Sequence, residues 1–130
     1  ARRQDKPWDF VSKILLQGGI LSKEFFYKSM EDSLDGFAES LKQTDYFSVC
    51  EEGVGRFKAT GSLTRFEKLM DDFIMQVIKK AKYVSLGIEP LIGYLMAKET
   101  EIKNIRIIMV GKINNMSNEI IRERLREAYV

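Results

Sequence analysis

The stretch Gly87–Val130, GIEPLIGYLMAKETEIKNIRIIMVGKINNMSNEIIRERLREAYV, decides the fold. Its apolar residues recur at intervals of three and four, a helical rhythm rather than a strand alternation. The reading is one long helix from Pro90 to Ile113, a break at Asn114-Asn115, and a last helix running to the end with Ile120, Ile121, Leu125 and Tyr129 inward. At 1.5 Å per residue the long helix spans about 35 Å. With Leu95 as origin and about 100° per residue, Ile88, Ile92, Ile102, Met109, Val110 and Ile113 lie within about 60° of it. That stripe is expected to face inward. Glu99 and Arg106 fall on the same stripe, and an isolated buried charge is costly. They are candidates for a structural ion pair or for a contact with another protein.

Helical signals recur upstream. Pro7 suits a first helical turn, with Trp8, Val11, Ile14 and Leu15 following at helical spacing and Gly18-Gly19 as the stop. Ser22 is placed to cap a second helix, with Leu21 and Phe26 as a hydrophobic staple. Asp32 or Ser33 is placed to cap a third that carries Leu34, Phe37, Ala38 and Leu41. Thr44 to Ser62, with Gly53, Gly55 and Gly61, reads as short helix plus loop. Thr64-Arg65-Phe66-Glu67 matches a capping box opening an amphipathic helix, with Phe66, Leu69, Met70, Phe73, Ile74, Val77 and Ala81 on the inner face. Lys79, Lys80 and Lys82 crowd its last turn, where the helix dipole favours cations. The expected fold is all-α, six or seven helices packed as a bundle. Residues 1–130 are read as a single domain, shorter helices and loop over 1–62 and long amphipathic helices over 63–130.

Composition narrows the function. Hydrophobic residues at 45% and charged residues at 31% are the balance of a folded protein. Twenty-one bases against 19 acids, a net charge of +2, give too even a surface for nucleic-acid binding. The single Cys50 excludes an internal disulfide and fits a reducing compartment. No apolar run approaches the roughly 18 residues that span a bilayer. The chain opens at Ala1-Arg2-Arg3 without Met, and a piece of a longer protein is expected.

Catalytic chemistry has little to work with. The chain lacks His, the commonest general base and metal ligand near neutral pH. Gly53-Val54-Gly55-Arg56-Phe57 lacks the Gly-Lys-Ser/Thr ending of a phosphate loop. Glu51-Glu52 and Asp71-Asp72 are adjacent acids that point in different directions on a helix and read as solvated faces. The expectation is no enzyme, no metal, no cofactor and no small-molecule substrate.

The string Pro90-Leu91-Ile92-Gly93-Tyr94-Leu95-Met96-Ala97-Lys98-Glu99, with Glu101, Asn104-Ile105-Arg106, Ile108, Gly111-Lys112 and the closing Arg124–Val130, resembles the C-terminal end of the C subunit of archaeal and bacterial V/A-type ATP synthases, a family shared with the d subunit of the vacuolar ATPase. Lys98 to Ile105, a Lys-Glu-x-Glu-x-x-Asn-Ile core, carries most of the specificity. Gly18–Glu24 and Leu41–Tyr46 are similar as well. The resemblance implies part of an all-helical, funnel-shaped subunit of three modules, a non-catalytic piece of the central rotor. Such a subunit joins the central stalk to the membrane ring of proteolipid subunits, at the cytoplasmic face and peripheral to the membrane, and couples ATP turnover to H⁺ or Na⁺ movement. Lys98, Glu101, Lys103 and Asn104, on or near the polar flanks of the long helix, are the candidate protein-interface residues. The rival readings are a helical adaptor or regulatory domain for a soluble protein partner, and a helical cap from an enzyme.

Overall fold

The computed structural model describes residues 8–129, so the expected role of Pro7 lies outside the described residues. Among the described residues seven α-helices and a 3-10 turn account for the regular structure, and there is no strand. The all-α expectation is correct. The residues fall into two compact units, one ending at Phe47 and the other beginning at Ser48.

The first unit holds α1 (Trp8–Ile14), α2 (Lys23–Glu31) and α3 (Leu34–Ser40). Ser22 and Ser33 cap α2 and α3, their hydroxyls accepting from the Phe25 N–H at 3.2 Å and the Gly36 N–H at 2.9 Å. Each satisfies one of the amides that a helix start leaves without an intrahelical partner. Gly18, expected as a stop, takes φ +89°, which an L side chain rarely adopts. Trp8 meets Tyr27 edge to face at 5.3 Å and Phe25 lies 6.3 Å from Phe37, while Ala38 and Leu41 are buried.

The second unit is built on α4 (Phe47–Thr60), α5 (Thr64–Lys79), α6 (Glu89–Ile113) and α7 (Asn118–Arg124), with a 3-10 turn at Lys80–Tyr83. Where short helix plus loop was expected, α4 runs through Gly53 and Gly55 for 14 residues. Gly53 is the reason for the close crossing: a Cβ there would stand 2.3 Å from the Phe66 ring. Helix α5 begins at Thr64 itself, so Thr64 does not act as the cap of the expected box. Its inner face is also rotated from the expected one, with Met75 buried and Ile74 and Val77 exposed.

Helix α6 has the expected length, with Pro90 in its first turn. Its inner face is the reverse of the expected one. Gly93, Ala97 and Gly111 are buried, with Thr100, Asn104 and Ile107 half-buried in line with them. The stripe through Leu95 is exposed, Glu99 and Arg106 included. Small residues win because they let neighbours come close. A Cβ on Gly111 would stand 2.6 Å from Ile121 of α7, and one on Gly93 would sit 3.2 Å from the Tyr129 hydroxyl. Asn115 at φ +52° makes the expected break, a conformation that Asn tolerates better than most residues. Ser117 then caps α7, accepting from the Ile120 N–H at 3.4 Å.

Candidate functional site

The last helix stops at Arg124, short of the expected end, and Leu125–Tyr129 continues as a non-helical strap that begins extended at Leu125. At Leu125, Arg126 and Glu127 side chains of α5 and α6 supply backbone bonds that a continued helix would have made internally. Asn104 of α6 acts as a two-point clasp: its Nδ2 donates to the Arg126 carbonyl at 3.0 Å and its Oδ1 accepts from the Arg126 N–H at 2.8 Å. The amide thereby imitates one rung of a β-ladder. From α5, Lys68 Nζ donates to the Leu125 carbonyl. Asp72 accepts from the Glu127 N–H at 2.6 Å and is bridged to Lys68 at 3.0 Å.

Charge completes the grip. The Asp71 carboxylate receives Arg126 Nε at 2.7 Å and Lys103 Nζ at 2.9 Å, so one acid ties together α5, α6 and the strap. Burial by itself would raise its pKa, but hydrogen bonds from Arg126 and Lys103 outweigh that and hold it below the usual carboxylate value. Glu127 takes Lys79 at 2.6 Å and Gln76 at 2.8 Å, and the Lys79 bond lowers its pKa. Lys82 reaches the Tyr129 carbonyl at 2.5 Å and lies 4.4 Å from the centre of the Tyr129 ring. Lys68, Asp72, Gln76 and Lys79 follow the i, i+4, i+8, i+11 rhythm of one helix face, which runs beside the strap.

The sequence-derived candidates therefore separate. Asn104 and Lys103 belong to the clasp. Lys98 and Glu101 pair with each other at 2.8 Å on the exposed flank, with Lys98 also 5.6 Å from the centre of the Tyr94 ring, and Glu101 raises the Lys98 pKa. Glu99 and Arg106 are exposed and 7 positions apart on the helix, without an ion pair among the described residues. Arg106 borders an open, mainly apolar cleft of about 240 Å³ with Ile107, Val110, Gly111, Met116, Ile121 and Arg124. Asp71 and Asp72, which sequence places on a solvated face, belong to the grip, and so do Arg126 and Glu127, to which sequence assigned no role. The visible hint was Asp72 four residues after Lys68, on the face that also carries Gln76 and Lys79.

Among the described residues no cluster of Cys, Asp and Glu is arranged to hold a metal ion, and no helix is long and apolar enough to cross a membrane. Burial raises the pKa of Cys50, away from a reactive thiolate.

The described residues fold as helices, and the clasp is a packing element that ties the C-terminal strap to α5 and α6. The family model described as ATP synthase (C/AC39) subunit matches residues 1–124, and the chain belongs to that family. Among curated relatives, the C subunit of the V-type sodium ATPase of Enterococcus hirae is 28% identical over 126 residues, covering 97% of this chain and 38% of that protein. The C subunit of the A-type ATP synthase of Methanocaldococcus jannaschii is 36% identical over 93 residues, 71% of this chain and 23% of the relative. That of Methanobrevibacter smithii is 32% identical over 118 residues, 86% and 30%. The chain thus spans well under half the length of these relatives. No solved structure gives a significant match.

Proposed function

We propose that this chain is part of a non-catalytic central-rotor subunit of a V/A-type ATP synthase, linking the central stalk to the proteolipid ring and coupling ATP turnover to H⁺ or Na⁺ transport. The observation that carries the reading is membership of the ATP synthase (C/AC39) subunit family over residues 1–124. The physical character of the second unit supports it. A part that transmits torque needs stiff elements whose ends are locked, and α6 is a 25-residue helix tied to α5 through the clasped strap. Partners in this reading are central-stalk subunits and the ring, at the cytoplasmic face and peripheral to the membrane.

Within it, Lys98 and Glu101 are the residues offered to other subunits, since their charges are exposed and their pairing is local. An exposed pair of this kind contributes little to folding. Lys103 and Asn104 serve the interface indirectly, by holding the strap and thereby the position of α6.

The buried Cys50 makes a site-directed test practicable. A single Glu101→Cys substitution, coupled to a short photo-activated cross-linker in native membranes, would place one reactive thiol on that flank. Adducts with a central-stalk or ring component support the proposal. Adducts confined to soluble proteins outside the ATPase overturn it and favour a helical adaptor.

A further inference from the structure

The strap is held in a way that lets it leave without disturbing its neighbours. Leu125, Arg126, Glu127 and Tyr129 are half-buried and Ala128 is exposed, so none of them is a core residue. Helix α5 holds the Leu125 carbonyl and the Glu127 N–H, and α6 holds Arg126 between them. Lys68 and Asp72, which supply the two holds from α5, are bridged to each other at 3.0 Å. Arg126 thus cannot leave ahead of its neighbours, and the loss of one hold weakens the next.

The socket keeps partners of its own when the strap departs. Asp72 retains Lys68, and Asp71 retains Lys103 at 2.9 Å. Arg126 and Glu127 exchange their partners for water. Opening therefore strands no buried charge, the cost that fixes most such networks in place. Helix α7 has a seat independent of the strap: Ile121 is 5% exposed and packs where Gly111 leaves room. Its last helical bond, from the Leu125 N–H to the Arg122 carbonyl at 3.2 Å, and ψ 140° at Leu125 mark the hinge. We propose that Leu125–Tyr129 is a latch that opens and closes as one unit about Leu125 while α5, α6 and α7 stay folded. The closed latch has ion pairs that the open one lacks, Asp71–Arg126 and Lys79–Glu127, so ionic strength sets its position. Closed, it reaches α6 at Asn104 and, through the Tyr129 hydroxyl, beside Gly93. The latch therefore governs how firmly the long helix is held against α5.

Hydrogen exchange of the natural protein that carries this sequence, read amide by amide by mass spectrometry, tests this. In urea below the unfolding transition, the Arg126 and Glu127 amides should exchange through one shared opening. That opening should be faster than exchange at interior amides of α5 and α6 and should not respond to urea. Raising salt from about 0.1 to 1 M should speed both amides roughly threefold. The discriminating variants are Asn104→Ala, which within the strap loses only the bonds to Arg126, and Asp72→Ala, which there loses only the bond to Glu127. Each should speed exchange about tenfold or more at the amide it does not touch, with helical circular dichroism unchanged. Exchange of both amides only through global unfolding, no salt response at either, or acceleration confined to the amide each variant touches overturns the proposal.

Discussion

Replacing Asn104 by Ala removes both points of the clasp at once. The Arg126 N–H and carbonyl lose bonds of 2.8 and 3.0 Å in a half-buried setting. A neutral hydrogen bond contributes a net 0.5–1.5 kcal/mol, so the pair is worth about 2 kcal/mol. Partial access to water keeps the loss from reaching the full desolvation cost of two stranded groups. A loss of that size lowers the melting temperature by about 10 °C in a cooperative unit of this size. Urea unfolding followed by circular dichroism gives the free energy, and native-state hydrogen exchange at the Arg126 and Glu127 amides localises it. Lys98→Ala, exposed and outside the clasp, is the control and should stay within about 0.5 kcal/mol of the parent. If Asn104→Ala leaves stability within that margin and exchange at both amides unchanged, the clasp reasoning is refuted.

Acid should loosen the strap. The folded pKa values of Asp71 and Glu127 lie below their ordinary 3.8 and 4.5, so their contribution is complete above those values and is lost as pH falls through the lowered ones. Hydrogen exchange in the strap should rise over that acid range, and Asp71→Asn should flatten the dependence. Gly53→Ala forces a methyl to within 2.3 Å of the Phe66 ring and should destabilise by about 1–3 kcal/mol in denaturant unfolding. Met75→Ala empties a site that is 2% exposed and should cost about 2–5 kcal/mol by the same measurement.

The long helix, its length and its break at Asn114-Asn115 were legible because they rest on local signals: Pro90 at the start, and an Asn that accepts a left-handed backbone at the end. The face was misread because α6 is not amphipathic in the usual sense. Reading by hydrophobicity favours Ile, Leu and Met, whereas packing inside the unit selected Gly93, Ala97 and Gly111 for close approach. The same logic runs α4 through Gly53. The strap was hidden for a different reason. Leu125 and Tyr129 keep a helical spacing, but the bonds that hold the backbone out of the helix come from Lys68, Asp72 and Asn104, between 22 and 57 residues away. Of the clasp residues, Asn104 and Lys103 stood out in the sequence only as interface candidates on or near the polar flanks of the long helix, not as holders of the strap, and Asp71 and Asp72 were passed over because adjacent acids on a helix usually face solvent.

Whether this chain works within the rotor of a rotary ATPase is tested most directly in its own membranes. The tagged natural protein that carries this sequence is extracted in mild detergent, and mass spectrometry identifies what co-purifies. Central-stalk and proteolipid subunits should be in the eluate. Recovery of soluble partners alone, with neither of those present, would contradict a place in the rotor.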